Sequence, residues 1–268
     1  MKKSQLERLL FLEKKLFWFG KVKRKEIQEQ FEVSSRVTTN DFSKYHELAP
    51  GNAVWDRPSY GYIADDAFKP VLYEPDSAEI LGEIYAPTGA FSGSVGVTVL
   101  NVPGRIIPVN ILRSLLAAIH SKRAIEICYR SMSRAEPTWR RITPHSLAHD
   151  GFRWHVRAFC SKRGKFIDLV LGRIVETGEL SAPDATSETD TEWIETVKIK
   201  IGPDSRLDEN QRSTIEMDYG MIDGEASFIV RKSMLFYALK QLCLHRDTGS
   251  SPKEQQIVLL NTDILKLL

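Results

Sequence analysis

The spacing of hydrophobic positions changes several times along the chain, and each change predicts a different kind of structure. Between Ser4 and Gly20, Leu6, Leu9, Leu10, Leu12, Leu16, Phe17 and Phe19 recur near helical spacing. This predicts an amphipathic helix, with Ser4 and Glu7 at capping-box spacing and Gly20 as its stop. Lys23–Phe31 reads as a second short helix with Ile27 and Phe31 on one side. Ser34 is a favourable N-cap for a third helix, from about Ser35 to Leu48, closed by Pro50 and Gly51. Its Thr38, Phe42 and Tyr45 fall at i, i+4 and i+7 and are expected to face a core. Two short β-patterned runs come next, Ala53–Asp56 and Tyr60–Ile63, around a turn at Arg57-Pro58-Ser59.

Between Pro70 and Pro108 the pattern weakens. A short helix over Asp76–Tyr85 is followed by PTGAFSGSVGV, whose composition marks a domain boundary, and Leu100–Pro108 reads as extended. Val109–Ile119 is apolar at helical spacing and is expected to pack on the strands after it. The period then falls to two. Ile125–Tyr129, Arg141–Leu147, Phe152–Phe159 and Phe166–Ile174 are β-branched and aromatic runs separated by turn residues. Asp150-Gly151 is a strong hairpin signal, with Asp150 shaping the turn rather than serving a dyad with His149. Closely spaced short strands of this kind suggest a small antiparallel barrel. Ser181–Asp190 is acidic and polar, a linker by composition. After it come a strand (Trp193–Ile201), a helix (about Asp208–Met217), a strand (Ala226–Val230) and a helix (Lys232–Leu244). Such a piece buries only a small core alone, so it is expected to pair with a second copy. The expected architecture is α+β and multidomain. A DNA-binding head would span 1–70, a helical connector 71–119, a β-barrel 120–180 and a small α/β dimerisation domain 190–268.

Composition is ordinary for a globular protein, with a formal net charge of +2. That near-neutrality hides an asymmetry. Lys122–Arg173 holds 12 Lys/Arg against 4 Asp/Glu, whereas the chain after Arg173 holds 10 against 17. Alternation places Arg153, His155, Arg157 and Phe159 on one face of their strand, opposite Trp154, Val156 and Ala158. The same rule groups Arg141, Thr143, His145 and Leu147 on the preceding strand, and Ile125, Ile127, Tyr129 and Ser131 on the first. Forked and switchable donors in this arrangement suit a phosphate or another polyanion, although a solvated face with scattered cations fits the same pattern.

Short helix, turn, capped helix and a β-wing form a winged helix-turn-helix pattern. Its third helix would present Ser35, Arg36, Thr39 and Asn40 to the major groove near its N-terminus, with Lys44 a turn later for a phosphate. Arg57 and Ser59 at the wing tip would meet backbone or minor groove. An ordinary three-helix bundle is the competing reading.

Several residues together carry a family resemblance. Tyr129-x-Ser131, Arg141-Ile142-x-Pro144-His145-x-Leu147, Gly151-x-x-Trp154-His155-Val156-x-Ala158-Phe159 and Leu171-Gly172-Arg173-Ile174 resemble a WYL domain. The naming triplet is here Trp154-His155-Val156, a departure that looks like the phage-defence-associated subgroup of WYL regulators (BrxR/CapW-like). The stretch from Ser34 to Pro70 and the C-terminal segment are similar to the winged-helix and dimerisation parts of the same subgroup. The resemblance implies an Sm-like barrel that senses a nucleic-acid or nucleotide effector, and autoregulatory repression of a phage-defence operon. With the charge pattern, it points to Tyr129, Ser131, Arg141, His145, His155, Arg157 and Arg173 as the effector contacts.

The expected partners are double-stranded operator DNA carrying an inverted repeat, the effector, and a second copy of the chain. No membrane, cofactor or metal is expected. There is no phosphate loop, dinucleotide fingerprint or His-Glu-x-x-His, and no nucleophile motif, so no catalytic residue is assigned. His145, His149 and His155 lack surrounding metal ligands. No stretch has the length and apolarity of a membrane span, and Glu7, Arg8, Glu13, Lys14 and Lys15 interrupt any signal-peptide core. A cytoplasmic location is expected, and Cys128, Cys160 and Cys243 are expected as small buried hydrophobes. Two other classes fit the basic centre. One is a nucleic-acid-processing enzyme, which would need a carboxylate cluster beyond Glu126, Glu136, Asp150 and Asp168. The other is an adaptor stacking single strands on Trp139, Trp154 or Phe159.

Overall fold

A computed structural model describes residues 2–86, 89–98, 105–245 and 249–268, and the chain divides into two compact units, Met1–Val102 and Pro103–Leu268. The expected extended run Leu100–Pro108 falls mostly outside the described residues, as do the first two positions of PTGAFSGSVGV.

In the first unit α1 (Lys3–Phe19), α2 (Arg24–Phe31) and α3 (Ser35–Leu48) enclose a core of Leu9, Leu12, Leu16, Ile27, Phe42 and Tyr45. The strands β1 (Lys21–Val22), β2 (Ala53–Asp56) and β3 (Gly61–Ala64) form a small antiparallel sheet in the order β1-β3-β2. Helix α1 starts one residue before Ser4, with Lys2 at the cap and no side-chain cap bond, so the expected capping box does not form. The Ser4 carbonyl instead accepts from Arg8 Nη1 at 2.9 Å. Helix α4 (Ser77–Tyr85) and Phe91 also join this core, with Phe91 stacked on Phe11 at 5.2 Å between centroids.

Two buried carboxylates lock the unit together, and hydropathy gave no sign of either. Asp41 of α3 accepts from Arg8 Nε at 2.6 Å and Nη2 at 3.1 Å, which ties α3 to α1. Glu13 accepts from Tyr45 Oη at 3.0 Å and from the backbone amides of Val71 and Leu72 at 3.0 and 2.8 Å, which ties the chain after the wing back to α1. A buried carboxylate is tolerable only with such a full set of donors. Burial beside Glu13 pushes the Tyr45 hydroxyl up, so it donates throughout the physiological range.

The second unit begins with α5 (Val109–His120), whose Ile111, Leu115 and Ala118 pack on a five-stranded antiparallel sheet. Its strands are β4 (Ala124–Tyr129), β5 (Thr138–His149), β6 (Trp154–Cys160), β7 (Lys165–Val170) and β8 (Ile174–Ser181), in the order β7-β6-β5-β4-β8. The fourth expected strand, Phe166–Ile174, ends early at Val170, and β8 had no counterpart among the expected strands. The expected closed barrel is replaced by an open sheet, because β7 and β8 are its two edges and do not pair. The sheet is nonetheless curled. Flat edges would stand about 19 Å apart at ~4.8 Å per strand, but only the 3-10 turn Leu171–Arg173 joins them, a link that reaches at most ~14 Å. Across that turn Tyr129 Oη accepts from the Val170 amide at 3.3 Å, and Arg130 N donates to the Arg173 carbonyl at 2.9 Å. Gly172 is required there, since a Cβ would stand 2.8 Å from the Ile106 carbonyl oxygen.

The chain then forms α6 (Thr191–Ile194), β9 (Thr196–Pro203), α7 (Glu209–Asp218), β10 (Ala226–Arg231), α8 (Leu235–Gln241) and β11 (Ile257–Leu259). The sheet order is β10-β9-β11, all antiparallel, over a core of Ile199, Ile201, Ile215, Leu235 and Leu239. Trp193 lies in α6 rather than in the expected strand, because Asp190 caps a helical turn by accepting from the Trp193 amide. β11 was missed, being three residues in a polar stretch. Of the cysteines only Cys160 is fully buried; Cys243 is exposed at the end of α8, where the chain turns with φ of 59°. Among the described residues no helix is long and apolar enough to cross a membrane.

Candidate functional site

The first candidate surface is the N-terminal half of α3. Thr38, Phe42 and Tyr45 are buried, as their spacing required, and this leaves Ser35, Arg36, Thr39 and Asn40 exposed together. Thr39 Oγ1 donates to the Ser35 carbonyl at 2.9 Å, while the side chains of Arg36 and Asn40 have no partner among the described residues. Lys44 is held by Glu47 at 2.8 Å in an exposed pair, a weak tie that a phosphate can replace. At the wing tip Arg57 is exposed, whereas Ser59 Oγ is turned inward and its amide donates to Asp56 Oδ2 at 3.0 Å. Arg24 braces the wing, with its guanidinium near the rings of Phe42, Trp55 and Tyr62 and a 3.1 Å bond to Tyr62 Oη.

The second candidate surface is the basic sheet face of the other unit. The structure divides the residues expected there. Tyr129 points into the core with Ile125 and Ile127, under the Arg140 guanidinium at 4.9 Å from its ring centroid. Ser131 and Arg173 lie near the Leu171–Arg173 turn; Ser131 Oγ meets Ser133 Oγ at 3.3 Å, and the Arg173 side chain has no partner among the described residues. Arg141, His145, His155 and Arg157 share the opposite face. A bulge between Pro144 and Ser146 breaks the strict alternation, so Ser146 rather than His145 pairs with Arg157.

These four side chains are not a bare patch. Arg157 is 2% exposed and forks onto Asp190, Nε to Oδ2 at 2.7 Å and Nη2 to Oδ1 at 2.8 Å. It also reaches Glu192 at 2.9 Å and Asp168 at 3.4 Å. His145 Nε2 donates to the same Asp190 oxygen at 3.0 Å. Arg141 donates to the Ala182 carbonyl at 2.7 Å and lies 3.0 Å from Asp184. The segment read as an acidic linker is therefore a strap of carboxylates laid over the basic face. Burial alone would raise the Asp190 carboxyl, but Arg157 and then His145 hold it below its ordinary range. Asp168 shows the opposite balance, its burial outweighing Arg157, so its carboxyl is raised.

His155 is buried against Tyr237 and donates to Asp150 Oδ2 at 2.9 Å. Asp150 also accepts from the amides of Phe152 and Arg153 at 2.9 and 2.8 Å and from Arg153 Nε at 2.9 Å. Burial opposes this charge, but His155, the two amides and Arg153 hold the carboxyl well below the usual range. Asp150 thus shapes the hairpin, as its position predicted, and also fixes Arg153. The turn has four residues, Asp150 to Arg153, with Gly151 at φ of 86° and its would-be Cβ 2.9 Å from the Gln241 side chain. Gly151→Ala is expected to cost about 1–2 kcal/mol, read as a melting temperature a few degrees lower; an unchanged melt would show that the hairpin does not seat on α8.

Among the described residues no three His, Cys, Asp or Glu side chains gather to hold a metal. The acids that answer the basic face, Asp184, Asp190 and Glu192, escaped the sequence reading. The signal for them was the charge asymmetry itself, a basic stretch followed by an acidic one.

Three family models match the chain. The BrxR transcriptional regulator winged helix-turn-helix domain covers residues 4–86, the WYL domain residues 110–177, and the BrxR transcriptional regulator C-terminal dimerization domain residues 196–265. Relatives named DNA-binding transcriptional repressor CapW align along nearly the whole chain. The one from Escherichia coli (strain KTE188) is 35% identical over 97% of this chain and 90% of its own length. The one from Stenotrophomonas maltophilia is 33% identical over 98% and 91%. The one from Pseudomonas aeruginosa is 32% identical over 98% and 91%.

Proposed function

Because this chain belongs to the BrxR/CapW family of transcriptional regulators, we propose that it is a DNA-binding transcriptional repressor, acting as a homodimer on an inverted-repeat operator. The exposed quartet Ser35, Arg36, Thr39 and Asn40 on a helix anchored by Phe42 and Tyr45 carries this reading. Short polar and cationic side chains at a helix N-terminus match base edges in the major groove, with Lys44 and Arg57 available for phosphates, whereas the inward-turned Ser59 hydroxyl is withdrawn from that role. The names of the relatives support repression, and the matched dimerisation domain supports a two-fold protein on a two-fold site.

In this reading residues 1–70 read DNA, 71–119 connect, 120–180 sense a nucleic-acid or nucleotide effector through a barrel-like sheet, and 190–268 dimerise. The matched spans support the order of the three parts, while the winged-helix match runs on to residue 86 and the WYL match begins at residue 110, so both take in part of the connector. An effector releases DNA only by preferring the dimer geometry that misfits the operator. Asp150 and Asp168 are engaged by His155 and Arg157 rather than grouped for chemistry, which supports a regulator over a nuclease.

The test is binding to the DNA upstream of the chain's own gene, measured by fluorescence anisotropy across a salt series. Affinity is expected to fall about 10³–10⁵-fold between ~50 and ~200 mM salt, as for six to ten phosphate contacts. Scrambled duplex should bind far more weakly. A flat salt response, or equal affinity for scrambled DNA, refutes the repressor.

A further inference from the structure

If the acidic strap neutralises the basic sheet face, the free positive charge of this unit must lie elsewhere. Part of it lies at the tip of the β5–β6 hairpin. A cavity of about 250 Å³ there is lined by Arg105, Asp150, Phe152, Arg153, Tyr237 and Lys240, among others. A second, of about 200 Å³, shares Arg105, Phe152 and Arg153 and extends along Trp154 to Gly172. With three walls in common, the two form one groove in the size range of small-molecule sites, about 300–1,000 Å³.

The charges of the groove do not cancel. Its one carboxylate among the described residues, Asp150, already accepts four hydrogen bonds, from His155, Arg153 and two backbone amides. Arg105 and Lys240 are exposed and have no side-chain partner among the described residues. Arg153 is fixed by Asp150 through Nε, and its two terminal nitrogens have no partner among the described residues. Beside these cations stand two exposed aromatic side chains, Phe152 at 69% and Trp154 at 46%. Phe152 is held out on a turn whose backbone is pinned by Asp150 and seated on Gln241. A hairpin that exposes a ring in a groove lined by three cations is a poor surface for an apolar ligand, which would strip water from the charges without pairing them. It is a good surface for a planar ring bearing phosphate, since the ring stacks while the forked and point cations take the oxygens.

We propose that this groove binds one phosphorylated nucleoside, either a free nucleotide or the phosphorylated end of a strand. Phe152 is the stacking platform, Arg105 and Lys240 take the phosphate, and Arg153 lines the same cavity. His155 is a positioning residue, acting through Asp150 on Arg153. The proposal places the effector of the repressor at the hairpin tip, and it rests on that reading only for the consequence of binding, not for binding itself.

The full chain is titrated calorimetrically, without DNA, with four nucleoside monophosphates, a 5′-phosphorylated tetranucleotide, an unphosphorylated nucleoside and inorganic phosphate. At least one phosphorylated nucleoside or the tetranucleotide is expected to bind. A monophosphate identifies a free nucleotide, and the tetranucleotide alone identifies a strand end. Arg105→Glu with Lys240→Glu should weaken binding about a hundredfold, and Phe152→Ala on the order of tenfold. Lys240→Arg should retain it. All the positions changed are exposed or at the rim, and unchanged melting curves confirm intact folding. Binding unaffected by the double substitution, inorganic phosphate binding as tightly as nucleotides, or no binding by any phosphorylated probe below about 1 mM each overturns the site. In a separate arm the bound probe is added to the operator complex. Operator binding that persists with no probe affinity sinks the groove and leaves the repressor. Probe affinity with no operator binding does the reverse.

Discussion

Replacing Asp190 with alanine is expected to lower the stability of the second unit by about 3–5 kcal/mol, the cost of leaving a buried charge without its partner. Arg157 cannot shed its proton, so the variant must either keep a guanidinium inside the protein or open the strap to hydrate it. Glu192 and Asp168 remain within reach of Arg157, which places the expected value nearer the lower end. At about 2–4 °C per kcal/mol for a chain of this size, the melting temperature should fall by roughly 10 °C. Asp184→Ala is the control. Its partner Arg141 is 39% exposed, so the change should cost no more than about 1 kcal/mol. The pH dependence has a definite sign. The Asp190 carboxyl is held below its unfolded value, against burial, by Arg157 and His145. Its contribution is present above about pH 4 and is lost as pH falls through the folded value. The gap between wild type and variant should therefore be widest near neutrality and close in acid. Equal melting of Asp190→Ala and Asp184→Ala at neutral pH would mean the strap carries no such ion pair in solution.

That strap shows where sequence reasoning stopped and why. Periodicity found α3 and its buried face, because Thr38, Phe42 and Tyr45 obey helical spacing with no interruption. It found most strands of the sheet for the same reason. It placed Arg157 and His155 on a common face and read that face as open, which periodicity alone cannot decide. What covers them is Ser181–Asp190, a stretch whose Ser, Thr, Asp and Glu content reads as solvated linker. The burial of Asp190 depends on a complementary cation 33 positions earlier, a long-range pairing that local composition does not reveal. Glu13 and Asp41 are the same case in the first unit: each looks like a surface charge on an amphipathic helix and is instead paired inside. His145 kept the face that alternation gave it, but the bulge after Pro144 turned Leu147 onto the core beside Val156, a one-residue shift that strict alternation does not include. Barrel closure was over-read for a related reason, since strand spacing predicts curl but not which edges bond.

Arg36→Ala combined with Asn40→Ala is expected to weaken operator binding by about 30- to 10⁴-fold while leaving the dimer and the melting temperature unchanged. Each side chain that reads a base edge contributes about 1–3 kcal/mol of discrimination, and the two lie one turn apart on the exposed face of α3, near enough to contact neighbouring base pairs. Neither has an intramolecular partner among the described residues, so their loss removes no contact that holds the fold. The form of the loss separates readout from electrostatics. Arg36→Ala and Asn40→Ala should erode the preference for operator over scrambled duplex, whereas Lys44→Ala or Arg57→Ala should weaken both alike and flatten the salt slope by about one unit each. The exposed Lys44–Glu47 pair makes Lys44 the sharper control, since losing that pair costs little and the proposed phosphate contact is what the substitution tests. If Arg36→Ala with Asn40→Ala kept full operator preference while Lys44→Ala destroyed it, the helix would meet DNA through its other end, and the assignment of the N-terminal quartet would be withdrawn.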